Sequence, residues 1–339
     1  MRTLGILSLV LSFCLGGAGA ALRVSLPPSF GAVPIVLSAA WNLFAEEGVE
    51  VEMVPLPAQR DRLLAFQAGQ IDAFVTDLTG ALLLVSSMPT EAVIAGSVFS
   101  AQGPRAHVAL ITPPGYSRIS TWQELAARVR KGDRVQIAVP RQSDLEFALD
   151  ELFFKSGLTF RPDGYIGQDN MLTNASWTLF GMVTAAALPQ PYVDYILNYD
   201  FPGKPALVVL AEIDSGDVPP DVIVFRRTAL NRNGAAAAAF FRAIRRATVR
   251  LNEMDRDELV TTGLPVAVQL FFPGAGPDPA KPEEWARVEA AIAAIVLPRF
   301  PEPAPVDATM FNRVVSWAMR KGYLRAALSY AQVTTPPPG

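Results

Sequence analysis

Apolar residues recur along this chain at two alternating spacings, one typical of strands and one typical of helices. After residue 20, the strand-like stretch ALRVSLPP leads into a helical pattern formed by Val36, Ala40, Leu43 and Phe44. An alternating segment follows Gly48, which lies where the helix is expected to end, because glycine readily adopts the left-handed conformation found there. The pattern predicts a strand, a helix and a second strand.

The same order of elements returns near residue 137, which indicates an internal duplication. VQIAVPRQSDLEFALDELFFKSGLTF repeats the strand, the helix and the closing glycine, so that Gly157 corresponds to Gly48. AFQAGQIDAFVTD likewise aligns with WTLFGMVTAAALP, which pairs Gly69 with Gly181. Strands that alternate with helices favour right-handed crossovers and a mainly parallel sheet. The expected fold class is therefore α/β, with two lobes that each contain such a sheet flanked by helices.

Two apolar segments, residues 107–114 and 219–227, are interpreted as strands that cross between the lobes. This interpretation assigns residues 21–111 and 224–332 to lobe 1 and residues 112–223 to lobe 2. The helical patterns after residue 233 are expected to cover the outer face of lobe 1. Residues 333–339 are expected to form a disordered tail.

The first twenty residues have the pattern of a secretory signal peptide. Arg2 precedes an apolar run, and Ala18-Gly19-Ala20 matches a cleavage site, so residues 1–20 are predicted to be removed after Ala20. The apolar run is shorter than the roughly 20 residues that a membrane span needs. The sequence predicts a soluble, exported protein.

The scarcity of cysteine and histidine narrows the possible chemistry. The only cysteine, Cys14, lies in the predicted signal peptide, which excludes disulfides and thiolate chemistry from the mature chain. The only histidine, His107, begins an apolar strand and is expected to be structural. The net charge of −3 weighs against nucleic acid or an anionic membrane as the main partner. An enzyme is therefore disfavoured, and neither a cofactor nor a metal is expected.

The loops that follow the strands are the candidate binding site, because ligands bind beyond the carboxyl ends of strands in open parallel sheets. If the lobes face each other, these loops line one cleft. Trp177 is included because its ring could stack on a flat ligand. The complete set of predicted binding residues is Ser29, Phe30, Gly31, Ala32, Thr76, Asp77, Leu78, Arg141, Gln142, Ser143, Trp177 and Pro189.

Three of these residues have two interpretations each. Asp77 either caps the helix that begins after it or offers its carboxylate to an amine or hydroxyl group of a ligand. Ser143 and Glu146 form an S-x-x-E capping box, which would account for both without a ligand. Arg141 either binds a carboxylate, sulfonate or phosphate or is simply solvated.

In the order and spacing of its segments, the chain resembles the periplasmic substrate-binding proteins of ABC importers. The resemblance is to the group that binds nitrate, sulfonates, taurine and thiamine-pyrimidine precursors, over roughly residues 22–255. It is carried by FAEEGVEVEMVPL, LLAFQAGQIDAFVTD, IAVPRQSDLEFALDELFFKSGL, GMVTAAALPQPYVDYI and PPDVIVFRR.

This resemblance implies a two-lobed type II periplasmic-binding-protein fold with two hinge segments. It implies a periplasmic monomer that binds a small solute at residues 29–32, 76–78, 141–143 and 189. The implied partners are a membrane permease and its ATPase.

The chain departs from that group at several positions. PRQS replaces a common glycine-serine turn, Thr184 stands where an acidic residue is common, and Asp77 stands where small neutral residues are frequent. These differences favour a larger organic solute with donor groups, sulfonate-like or pyrimidine-like, over nitrate. A sensor or adaptor for a membrane receptor is the first alternative. A thiamine-precursor synthase with pyridoxal phosphate is the second, against which export and the single histidine count.

Overall fold

The computed structural model describes residues 21–100, 107–273 and 279–339, so the predicted signal peptide lies outside the described residues. The described residues form ten strands in two five-stranded sheets, with the orders β2-β1-β3-β10-β4 and β7-β6-β8-β5-β9. The strands are β1 (Leu22–Ser25), β2 (Val51–Met53), β3 (Ala73–Asp77), β4 (Ala92–Phe99), β5 (Val108–Thr112), β6 (Ile137–Ala138), β7 (Tyr165–Ile166), β8 (Ala185–Pro189), β9 (Val208–Ile213) and β10 (Asp221–Arg226).

Helices cover both faces of each sheet and form the C-terminal part of the chain. They are α1 (Val33–Ala40), α2 (Leu43–Glu46), α3 (Gln59–Gln67), α4 (Leu78–Ser87), α5 (Pro114–Ser117), α6 (Trp122–Lys131), α7 (Asp144–Lys155), α8 (Met171–Leu179), α9 (Tyr192–Asn198), α10 (Arg227–Arg232), α11 (Gly234–Glu253), α12 (Arg256–Phe271), α13 (Pro282–Ala293), α14 (Ala308–Arg320) and α15 (Tyr330–Val333).

The two sheets have the same design, which confirms the predicted two-lobed α/β fold. In the first sheet β10 runs antiparallel to β3 and β4, and in the second β5 runs antiparallel to β8 and β9. The other paired strands are parallel. The glycines of the duplication also correspond, because Gly48, Gly69, Gly157 and Gly181 all have positive φ angles, between 67° and 76°. Glycine adopts this conformation without the steric cost that a side chain brings.

Strand β4 belongs to the first sheet and β5 to the second, and the chain returns to the first sheet between β9 and β10, over residues 214–220. The segments predicted to cross between the lobes are instead β5 and β10, each of which lies within a single sheet. The boundaries expected at 111/112 and 223/224 therefore fall inside strands. An apolar run indicates a buried strand but does not reveal which sheet it joins.

The C-terminal helices do not all cover the outer face of the first lobe, as the sequence suggested. Helix α11 does pack on the first sheet, where Phe240 and Ile244 are buried. Helices α12 and α13 instead pack against α1 of the first lobe and α9 of the second, and the Val296 amide donates to the Asp194 carboxylate at 3.0 Å. Apolar spacing shows that a helix has a buried face, but not which element covers it.

The C-terminal tail is ordered along β4, contrary to the expected disorder of residues 333–339. The Thr335 amide donates to the Ile94 carbonyl at 2.9 Å, and Pro337 lies against Gly96. Strand β4 is at the edge of its sheet, and the unpaired backbone groups of an edge strand readily accept another segment. None of the described helices is both long and apolar enough to cross a membrane.

Candidate ligand-binding cleft

A cavity of about 150 Å³ lies between the two lobes and is lined by residues of both. Loops at the carboxyl ends of β1, β3, β6 and β8 reach it, as expected for parallel strands in two facing sheets. The residues that line it include Pro28, Ser29, Phe30, Gln59, Arg62, Thr76, Asp77, Phe99, His107, Pro140, Ser143, Asp144, Asp169, Met171, Pro189, Gln190 and Asp221.

Half of the predicted binding residues lie at this cavity. Ser29, Phe30, Thr76, Asp77, Ser143 and Pro189 line its wall, and both lobes contribute to the set. Loops that are more than 100 residues apart in the sequence, and that the duplication places at equivalent strand ends, therefore meet at one cavity. That these residues contact a solute stays a prediction.

The other six predicted residues lie outside the cavity wall. Gly31 and Leu78 contribute backbone amides behind it, and Ala32 is buried in the core. The remaining three, Arg141, Gln142 and Trp177, are directed elsewhere.

Arg141 and Gln142 are exposed, and the Arg141 guanidinium donates to the Tyr323 hydroxyl at 3.3 Å. The interpretation of Arg141 as an anion ligand is therefore not supported by its position. Trp177 is half-buried and packs against the apolar core between the lobes.

The N-termini of helices α4 and α7 face each other across the lobe interface. A carboxylate at the start of each helix accepts hydrogen bonds from backbone amides of the other helix. Asp77 caps α4 by accepting from the Gly80 amide, and its other oxygen accepts from the Asp144 amide, both at 3.0 Å. Asp144 in return accepts from the Leu78 and Thr79 amides, both at 2.8 Å, and from the Thr79 hydroxyl at 2.6 Å. We term this arrangement the reciprocal cap. It satisfies amides that have no partner within a helix, so Asp77 is a helix cap that also joins the lobes.

Burial acts against the charge on both carboxylates of the reciprocal cap. It raises the pKa of Asp77, and it raises the pKa of Asp144 further because the Asp77 charge is close by. The amide and hydroxyl donors act in the opposite direction by stabilising the ionised forms. The net effect of burial is to disfavour the charge, and the donors of the two helices offset only part of it.

A third carboxylate, Asp221, lies beside Asp77 at the start of the antiparallel strand β10. Its Oδ2 accepts from the Gly31 amide at 3.1 Å, and burial raises its pKa to about 6. It is therefore ionised at neutral pH. A Cβ atom at position 31 would lie 2.6 Å from that oxygen, so the close approach requires glycine.

Arg62 is a buried cation of the cleft that no local sequence pattern distinguishes from a surface arginine. Only 3% of the residue is exposed, and its Nη1 donates to the carbonyl oxygens of Leu56 and Pro57 at 2.9 and 2.6 Å. Its Nε has no hydrogen-bond partner. Burial lowers the pKa of Arg62 to about 10, which still leaves the guanidinium charged at neutral pH.

Three rings form the apolar wall of the cleft. Phe30, Phe99 and His107 contact one another with centroid distances of 5.3 to 6.0 Å. Burial lowers the pKa of His107 to about 4, so its imidazole is neutral at physiological pH. His107 was expected to be structural, and it combines that role with a place on the cleft wall.

A second group of polar contacts joins the lobes behind the cleft. Glu146 on α7 is completely buried and accepts from the Tyr323 hydroxyl at 2.9 Å and from Lys321 at 2.8 Å. Arg313 on α14 pairs with Glu151 on α7 at 3.0 Å. Helix α14, which packs on α4 of the first lobe, is thus fixed to the second lobe through charged groups. The two lobes are therefore in direct contact behind the cleft.

This fold, with two matching five-stranded sheets and a cleft between them, is that of the periplasmic solute-binding proteins. No family profile matches the sequence, and no curated protein matches it in sequence. The evidence for the fold therefore comes from solved structures.

Three similar structures are all solute-binding proteins. The alkanesulfonate-binding protein SsuA from Xanthomonas axonopodis pv. citri, bound to MOPS, is 16% identical, with 95% of this chain and 100% of that chain covered and a TM-score of 0.66. The aliphatic sulphonate-binding protein SsuA from Escherichia coli is 18% identical, with 94% and 93% covered and a TM-score of 0.62. The nitrate-binding protein NrtA from Synechocystis PCC 6803 is 11% identical, with 93% and 86% covered and a TM-score of 0.64. At these identities the similarity establishes the fold.

Proposed function

We propose that this protein is the solute-binding component of an ABC importer. It captures a small organic solute in the cleft between its lobes and delivers it to a membrane permease and its ATPase. The observation that carries the proposal is the cavity itself, because residues of both lobes line one space at the strand ends. Export to the periplasm after cleavage at Ala20, and action as a monomer, are parts of the same proposal.

Binding is coupled to lobe closure in this mechanism. A solute contacts both walls of the cleft only when the lobes are closed, so its binding shifts the protein towards the closed state. The reciprocal cap and the contacts between α14 and α7 add protein–protein bonds to that state. The closed molecule then presents a fixed surface, formed by both lobes, to the permease.

The side chains of the cleft support a binding role over catalysis. Among the described residues, no lysine lines the cavity, so an aldimine-forming amine is not found there. His107 is neutral, partly buried and packed against the rings of Phe30 and Phe99, where it is poorly placed to exchange protons with solvent.

Native mass spectrometry of the protein from its own cells tests this proposal. We expect a small molecule that co-purifies with the protein and is released on unfolding. Met171 lines the cavity, so Met171→Trp should fill it and abolish the co-purifying mass. Met182→Trp is the matched control, because Met182 is 63% exposed and lies outside the cavity. Equal retention of the molecule by both variants would place its binding site elsewhere and contradict the proposal.

A further inference from the structure

Negative groups outnumber positive ones in the cleft. Among the described residues that line it, the charged side chains are Asp77, Asp144, Asp169 and Asp221 against Arg62. Arg62 forms no ion pair with any of these carboxylates within the described part of the chain, and its Nη1 is bonded to backbone carbonyls. The electrostatic potential of the cleft therefore favours a positively charged solute.

The backbone amides that would attract an anion are already occupied. The first amides of α4, those of Leu78, Thr79 and Gly80, donate to Asp144 and Asp77. The first backbone amide of α7, that of Asp144, is likewise occupied, because it donates to the Asp77 carboxylate. An anionic solute at this end of the cleft would have to displace a buried carboxylate and would meet a second one beside it. The reciprocal cap thus occupies the anion site with the protein's own carboxyl groups.

Asp221 is the carboxylate that remains available to a ligand. Its Oδ2 accepts the Gly31 amide and the Ser29 hydroxyl also stabilises its ionised form, whereas a carboxylate has about four acceptor positions, so sites remain for a ligand. It faces the cavity beside Phe30 and His107, whose rings suit the apolar part of an organic cation. Arg62 offers a free hydrogen-bond donor to the same cavity. Its Nε has no hydrogen-bond partner, although the residue is only 3% exposed and lines the cavity wall. A hydrogen-bond acceptor on the solute would satisfy it.

From this geometry we infer that the cleft selects a small organic cation that also carries a hydrogen-bond acceptor. Its ammonium or amidinium group pairs with Asp221, and its acceptor receives the Nε–H of Arg62. The volume of about 150 Å³ suits a molecule built on a single ring, since a cavity of roughly that size holds benzene. This inference rests on the proposed function and specifies its solute class.

Three ligands with one shared scaffold test the charge preference. 4-(Aminomethyl)benzamide carries the cation, 4-(hydroxymethyl)benzamide is its neutral counterpart, and 4-carbamoylbenzenesulfonate is the anion. Each retains the carboxamide acceptor. The full chain is unfolded and refolded to remove any bound solute, and affinities are measured by titration calorimetry at pH 7.5. We expect the amine to bind at least tenfold more tightly than the alcohol, and the sulfonate to bind most weakly. Equal affinities, or tightest binding of the sulfonate, would overturn the inference.

Two variants and one matched control identify the residues that set the charge preference. Asp221→Asn should reduce the advantage of the amine over the alcohol to less than threefold, whereas Asp163→Asn, at an exposed ion pair with Arg161, should retain it. Asp144→Ala frees the Leu78 and Thr79 amides and should strengthen sulfonate binding at least tenfold. An unchanged amine preference in a folded Asp221→Asn protein refutes the role of that residue, and unchanged sulfonate affinity in Asp144→Ala refutes the filled anion site.

The outcomes separate this inference from the proposed function. Tight binding of the sulfonate to the cleft would support the proposed solute-binding function and contradict the inference that the solute is a cation. If none of the three ligands binds, the charge of the co-purifying molecule decides, because an anion contradicts the inference and a cation supports it. If no ligand binds and nothing co-purifies, both fail.

Discussion

Replacement of Asp221 by asparagine is expected to make the protein more stable at neutral pH, although it impairs the cleft. Burial raises the pKa of Asp221 from 3.8 to about 6, which means that folding disfavours its ionised form. Each pKa unit corresponds to about 1.4 kcal/mol, so the shift amounts to about 3 kcal/mol when the group is fully ionised. Asparagine retains an oxygen that can accept the Gly31 amide and removes the charge.

The sign of the pH dependence follows from the raised pKa. The wild-type protein has the full stability of a neutral Asp221 below pH 4 and loses it as the pH rises through about 6. Asp77 and Arg62, which also affect this pKa, are present in both proteins. Because the side chain borders a cavity, water reduces the effect, and we expect a gain of about 1–3 kcal/mol at pH 7.5 that shrinks to about 0.5 kcal/mol at pH 4.

Urea unfolding of both proteins at pH 4 and 7.5 measures these differences directly. Bound solute must be removed first, because a ligand held by the wild-type carboxylate would stabilise that protein selectively. Asp163→Asn serves as the control and should show no comparable pH-dependent gain, since that residue is exposed. If Asp221→Asn is less stable than the wild type at pH 7.5, the carboxylate has a favourable partner in the free protein and the reasoning is wrong.

Three further substitutions address other parts of the structure. Gly31→Ala should weaken solute binding at least tenfold in calorimetry, because the added methyl group displaces the Asp221 carboxylate. Gly216→Ala is the control and should bind normally, because position 216 has open space around it. Lys321→Met removes a cation from the buried Glu146 and should lower the free energy of unfolding by about 3 kcal/mol in urea; no loss would show that the ion pair does not hold the lobes together. Truncation after Val333 should lower that free energy by about 1–2 kcal/mol, and an unchanged value would mean that pairing of the tail with β4 is energetically neutral.

The order of the elements and the duplication could be predicted from the sequence because both depend on local apolar spacing. The positions of Ser29, Asp77 and Ser143 at one cleft followed from that order. Asp221 could not be predicted in this way, because it begins its strand, whereas parallel strands place ligand-binding loops after their carboxyl ends. Strand β10 is antiparallel, so its first residue lies at the same edge as the last residue of β3. No local pattern indicates that reversal.

The remaining site residues depend on contacts between distant segments. Asp144 follows an evident helix cap at Ser143, but its main partners, the amides of Leu78 and Thr79, belong to the other lobe. Arg62 would ordinarily be assigned to the surface, and its burial depends on carbonyl groups that turn towards it from a neighbouring loop. Arg141 has the charge expected of an anion ligand, yet the backbone directs it to Tyr323 outside the cavity.

The position of β10 has a consequence for how the molecule is built during synthesis. The second sheet is complete within the continuous stretch 108–213, whereas the central pairing of the first sheet is missing until residues 221–226 have left the ribosome. The second lobe is therefore able to finish folding before the first lobe, although the first lobe contains the earlier part of the chain. Until then, the inner edges of β3 and β4 lack their partner, and a chaperone that shields exposed edges would find its substrate there.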